Sequence, residues 1–316
     1  PTGITMSSEL PASLGFTPKE IQKWDNGFIA MGVDGELQKL DTEYKPIGKV
    51  TSPFPTPLRN STITGSIMIS TWIDSELMLA RMASFDLTKE LIQGVERSEL
   101  RVRRTMEKAI HPAGNIWSHV LDAEPLAINS NDSGFTFVLW KKGIYCMTVD
   151  AHEKWRSEEP SWKELSKLPR AGETVNAIMK KETVEVWSRG GGVNIYNLDN
   201  GSIIEQKVIK LDGFLLSIYH DSDNYLLQLN DGQVVLYDGE NIILRAKLSG
   251  PINNASWNAS KKGWYISGWR EVIFLSTSTY QRKELIEIPV YYDHKRKIAL
   301  CNDSNWYDVN FVDEEE

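Results

Sequence analysis

The stretch 183–204, TVEVWSRGGGVNIYNLDNGSII, sets the reading of the whole chain. TVEVW is a short run rich in β-branched and aromatic residues, which favour strands. Ser188-Arg189-Gly190-Gly191-Gly192 breaks it, VNIYN reads as a second, alternating strand, and Asp199-Asn200-Gly201 turns the chain into SIIEQKVI (202–209). A glycine loop that cradles phosphate needs a helix N-terminus behind it. Here a strand follows, so the glycines read as a hairpin turn.

The same unit recurs outward in both directions: GFIAMGVDGELQKLD (27–41), SIMISTWIDSELMLARM (66–82), GFTFVLWKKGIYCMTV (134–149), YLLQLNDGQVVLYDG (225–239), WYISGWREVIFLS (264–276) and KIALCNDSNWYDVNFV (297–312). Asp34-Gly35 and Asp231-Gly232 suit the two-residue turns that need positive φ. With Asp34, Asp74, Lys142, Gly190, Asp231, Arg270 and Asp303 as turn markers, the spacings are 40, 68, 48, 41, 39 and 33 residues. A strand-pair repeat near 40 residues is the period of a propeller blade.

A breaker, an apolar residue and a small residue precede each hairpin, at 57–61, 114–118, 173–177, 213–217 and 251–255. These read as innermost strands. SIIEQKVI and IILRAKL (242–248) read as outer fourth strands.

The run 183–204 resembles a blade of the WD-repeat family: strand, glycine turn, strand, then Tyr196-Asn197 where that family often has Trp-Asp. Tyr237-Asp238 takes the same place one unit later. By period the resemblance spans most of the chain, and by motif about residues 170–280. It implies an all-β, seven-bladed β-propeller of four-stranded antiparallel blades, one domain over 1–316. The N-terminal stretch 1–17 is expected to supply the fourth strand of the last blade and close the ring, because an open array leaves faces and edges bare. The acidic tail 313–316 is expected to fray.

The long spacing marks an insertion at about 83–113. Leu87, Leu91, Ile92 and Val95 suggest a short helix within 87–97, and LRVRRTM (100–106) reads as the outer strand of the second blade. Arg97, Arg101, Arg103, Arg104 and Lys108 form a basic patch, read first as solvated charge that blocks edge pairing and second as a contact for an acidic partner or a nucleic-acid backbone. The stretch 150–165 reads as a rim loop whose Trp155 and Trp162 cap a nearby core.

Net charge is −8 and the charged fraction 25%. That disfavours a general nucleic-acid binder, which carries a basic field. No apolar run approaches a membrane span and no secretory leader is visible, so the expectation is a cytoplasmic or nuclear protein. Cys146 and Cys301 read as buried thiols. The five histidines have no metal-ligand spacing, and no nucleophile elbow, Walker loop or dinucleotide fingerprint occurs. Neither a cofactor nor a catalytic set is expected.

Trp72, Trp140, Trp187 and Trp269 all fall beside a hairpin turn, where Val33 and Asn230 stand in other units. Each can seal one blade on the next or form an aromatic rim. With Arg189, Arg270 and Lys141 beside them, the rim reading gives a non-catalytic scaffold that binds a protein or peptide. The alternative is an enzyme or small-ligand binder in the central channel, using Asn60, Asn176 and Asn254.

Overall fold

The computed structural model describes residues 9–102 and 108–311. Blade 1 comprises β1 (Pro18–Trp24), β2 (Gly27–Gly32), β3 (Leu37–Leu40) and β4 (Pro46–Thr51); blade 2, β5 (Leu58–Thr64), β6 (Ile67–Asp74), β7 (Leu79–Asp86) and β8 (Trp117–Val120). Blade 3 holds β9 (Pro125–Asn131), β10 (Gly134–Leu139), β11 (Gly143–Met147) and β12 (Glu153–Ser157); blade 4, β13 (Thr174–Met179), β14 (Thr183–Ser188), β15 (Gly192–Asn197) and β16 (Ile203–Val208). Blade 5 holds β17 (Leu215–Asp221), β18 (Asn224–Leu229), β19 (Gln233–Tyr237) and β20 (Ile242–Lys247); blade 6, β21 (Asn254–Asn258), β22 (Gly263–Ser267), β23 (Glu271–Ser276) and β24 (Tyr280–Glu284). Blade 7 comprises β25 (Pro289–Asp293), β26 (Ile298–Cys301) and β27 (Trp306–Asp308). The expected seven-bladed β-propeller is the observed fold.

The first strand of each blade touches the first strand of the next, and β25 touches β1, so the ring closes. Side chains sew these strands together. Gln22 donates to the Ser61 carbonyl at 3.2 Å, Asn60 to that of Pro125 at 3.4 Å and Asn176 to that of Ile218 at 3.2 Å. Asn129 accepts the Met179 N–H at 2.8 Å, the Tyr219 hydroxyl donates to Ile252 at 3.0 Å, and Asn253 donates to Pro289 at 2.9 Å.

Blade 7 meets blade 1 through Tyr44. Its hydroxyl donates to Asp293 at 2.7 Å and lies 3.1 Å from that of Tyr291, while its ring packs on Phe28 and Trp306. Arg296 also donates to the Thr42 carbonyl at 3.0 Å. Among the described residues blade 7 has three strands. The fourth strand expected from 1–17 falls partly on residues 1–8, which lie outside the described residues. Residues 9–17 form no strand, yet they bind the same blade: Leu14 N–H donates to the Ser304 carbonyl at 3.0 Å, and Leu14 and Phe16 pack with Trp306.

The insertion departs from its sequence reading. Residues 79–86 continue β7, the helix is α1 (Arg97–Val102), and the strand that pairs with β7 is β8. Thus 114–118 leads into an outer strand, not an innermost one, and 100–102 is helical, while 103–107 lies outside the described residues. Leu87, Leu91 and Leu100 sink into the blade 1–2 core, and buried Arg81 donates to the Ile110 carbonyl at 3.0 Å. The insertion therefore packs over one face of β7, with Leu79, Ala83 and Phe85, while Met82 on the other face meets blade 3.

In the 150–165 stretch, Glu153–Ser157 forms β12 instead of loop. Trp155 and Trp162 are both buried, Trp155 donating to the Leu198 carbonyl at 2.7 Å. Trp162 explains one glycine of the 188–192 turn. A Cβ on Gly192 would lie 2.4 Å from its indole, where only a hydrogen fits. Gly192→Ala is therefore expected to destabilise the protein by about 1–3 kcal/mol, the usual cost of overpacking. Adding Trp162→Ala should relieve that part, so the double variant loses less than the two single losses together in chemical denaturation. Additive losses would contradict the contact.

Candidate functional site

A repeated irregularity builds the rim of one face. In six first strands one residue near the start is skipped by the pairing: Lys19, Arg59, Leu126, Val175, Leu216 and Val290. Such a bulge re-aims a side chain out of the sheet. Four of these residues, Arg59, Leu126, Val175 and Leu216, line a single recess of about 400 Å³.

The recess is completed by the turns between second and third strands. Trp140 N–H donates to the Glu124 carbonyl at 2.9 Å, and Arg189 N–H to that of Glu173 at 2.9 Å. Val33 to Thr17, Asn230 to Phe214 and Asn302 to Ile288 repeat this bond in other blades. Trp140 and Arg189 therefore occupy the same rung in adjacent blades, and both line the recess.

Three arginines and two glutamates surround it. Arg59 pairs with Glu124 at 3.1 Å and Arg170 with Glu173 at 2.7 Å. Arg189 lies over the Phe214 ring at 5.7 Å, and its Nε is buried without a hydrogen-bond partner among the described residues. On the far side of Trp140 a groove of about 540 Å³ runs past Ile73, Met78, Leu79 and Leu121.

The four tryptophans separate into two pairs. Trp140 and Trp269 stand in turns, 45% and 49% exposed. Trp72 and Trp187 stand inside β6 and β14, at 0% and 1% exposure. Trp72 packs edge-on against Phe54 and Phe85. Trp187 donates to Glu185 at 3.0 Å; Glu185 also accepts from the Tyr225 hydroxyl at 2.8 Å and pairs with Lys180 at 3.0 Å. One residue of register puts a side chain on the opposite face of a strand or carries it into the turn. Trp72 and Trp187 therefore belong to the core rather than to the exposed rim.

Trp269 and Arg270 lie in the blade 6 turn, across the ring from the Trp140–Arg189 recess, and do not join it. Of the channel residues, Asn60 and Asn176 spend their amide N–H groups on neighbouring strands, and Asn254 opens β21 half-buried. Cys146 and Cys301 are free and buried, and burial pushes their thiols up to about 11 and about 12. No group of three metal-ligating side chains occurs among the described residues. No helix among them is long and apolar enough to cross a membrane.

The basic patch is partly neutralised. Arg97 binds Asp74 and Glu76, each at 2.8 Å, which ties α1 to blade 2. Arg101 and Lys108 are exposed, while Arg103 and Arg104 lie outside the described residues. Burial raises the Asp74 pKa, but the Leu77 N–H and the Arg97 guanidinium outweigh it and hold the carboxyl below its ordinary value. A carboxyl held low stabilises the fold above its unfolded value, near pH 4. That contribution disappears as pH falls through the folded value. Amide protection factors in 97–102 should drop in that acidic window, and Asp74→Asn should lower them at neutral pH and flatten the dependence. Unchanged protection in the variant would contradict the tether.

No protein-family model matches the chain, and no curated protein matches it in sequence. Solved structures match it in shape. The β-propeller domain of Myceliophteria thermophila Cps50 (Swd1) superposes with a TM-score of 0.66 at 11% identity, covering 96% of this chain and 99% of that one. The WD40 β-propeller domain of Doa1 gives 0.60 at 12%, covering 94% and 93%. The computationally designed protein Ika8 gives 0.58 at 10%, covering 94% and 97%. At such identities the likeness speaks for the fold alone, and in fold this chain is a WD-repeat-like β-propeller.

Proposed function

We propose that the chain is a non-catalytic interaction scaffold that seats a protein or peptide on the face carrying Trp140 and Trp269. The carrying observation is the half-exposed Trp140 beside Arg189, whose guanidinium has no acidic partner among the described residues. Trp and Arg are enriched among the side chains that anchor a partner. The resemblance to WD40 propellers agrees with a scaffold role. Lys141 Nζ lies 4.4 Å from the Trp140 ring, so the face is cationic around its aromatic anchor although the chain is acidic overall.

Peptides selected from a random displayed library on the immobilised protein test the reading. Their binding to Trp140→Ala/Trp269→Ala is expected to fall at least tenfold, with the melting temperature nearly unchanged because both side chains are half-exposed. Peptides that bind the double variant as well as the parent would overturn this face as the partner site.

A further inference from the structure

Resting on that reading, we propose that the occupant is an acidic–apolar peptide segment. One carboxylate side chain enters the recess at Arg189, and an apolar side chain of the same segment lies in the groove across Trp140. The two hollows share Trp140 and Glu124 as a common wall, so one extended segment can reach both.

Charge selects the first side chain. Two of the three arginines in the recess already hold glutamates, at 3.1 and 2.7 Å. Arg189 lies over the Phe214 ring and lines the recess, and no carboxylate among the described residues pairs with its guanidinium. A planar guanidinium in that state is matched by a carboxylate, which can take two of its N–H groups at once. One unpaired cation matches a single negative charge. A phosphate dianion would bring a second charge against arginines already engaged, so the carboxylate of Asp or Glu is the better fit.

Shape and polarity select the second. The groove is walled by Ile73, Met78, Leu79, Leu121, Ala123 and Trp140. Of the charges at its margin, Lys142 pairs with Asp122 at 2.8 Å and Asp74 with Arg97 at 2.8 Å, while Lys141 lies over the Trp140 ring. Met78 is 90% exposed on a left-handed backbone, φ +50°, a conformation a long side chain seldom adopts. Its unbranched thioether can fold over an apolar group laid beside it.

The probes are fluorescein-labelled synthetic decapeptides in three arms, identical except at one position carrying Glu, Gln or phosphoserine. Each has a Leu two, three or four residues away, and binding is read by anisotropy. The Glu arm is expected to bind at least tenfold tighter than the Gln arm, and Arg189→Gln should erase that difference. Arg189→Lys, which keeps the charge, should retain part of it. Met78→Ser should weaken Leu-bearing peptides more than their Ala counterparts. Thermal melts establish that each variant is folded.

Equal binding of the Glu and Gln arms, an undiminished gap in Arg189→Gln, or tighter binding of the phosphoserine arm would overturn the proposal. The two failures are separable. If selected peptides depend on Trp140 but not on Arg189, the interaction face stands and the acidic occupant falls. If they depend on neither, both fall.

Discussion

Everything in the molecule depends on the belt of side-chain hydrogen bonds that joins each blade to the next, from blade 1 to blade 7, at or just before its first strand. A four-stranded sheet has two apolar faces and cannot shield either one alone. The faces disappear only when neighbouring sheets press on them, and the stagger between sheets is held at the channel by Gln22, Asn60, Asn129, Asn176, Tyr219 and Asn253. At the seam the device changes. Tyr44 reaches from the blade 1 turn into the Tyr291–Asp293 pair of blade 7, on a left-handed backbone at φ +65°. Residues 13–16 add a second tie at Ser304.

The belt also places the rim. In every blade but the second, the first strand begins opposite the last residue of the second strand, so the turn that follows stands beside the start of the innermost strand. In blades 2 to 5 the skipped residue at the start of that strand lines the recess. Arg59, Leu126, Val175 and Leu216 come together from four consecutive blades in this way. Their convergence with Trp140 and Arg189 follows from the repeat and needs no special loop. What distinguishes blades 3 and 4 is the chemistry of the rung: Trp and Arg there, Val or Asn in blades 1, 5 and 7.

Much of this architecture was legible in the sequence. Alternation and turn residues marked every hairpin, and the small residues at 57–61, 173–177, 213–217 and 251–255 marked four innermost strands. The insertion was not legible, because the usual alternation fails where both faces of a strand are covered. β7 is buried along nearly its whole length, by blade 1 and the insertion on one face and blade 3 on the other, so LARMASFD shows no polar side and the apolar spacing of Leu87 and Leu91 imitates a helix. Residues 114–118 have the outline of an inner strand but reach β7 first, whose free edge needs a partner. At the site, the turns alone aligned Trp140 with Val33 and Asn230, but put Trp187 on the rung that Arg189 occupies. Trp72 and Trp187 could not be separated from them, since the difference is one or two residues of register. The bulges that set that register leave no mark in residue type.

Closure of the ring is the claim on which the fold and the site both rest. Native-state hydrogen exchange followed by mass spectrometry, with denaturant raised in small steps, measures it blade by blade. The account predicts that the first-strand amides of blades 1 and 7 open only in the same global transition as those of blades 3 to 5, because each lies between two neighbours. Early opening of blades 1 and 7 together, with the middle blades still protected, would mean that the array has two free ends and would contradict a closed ring.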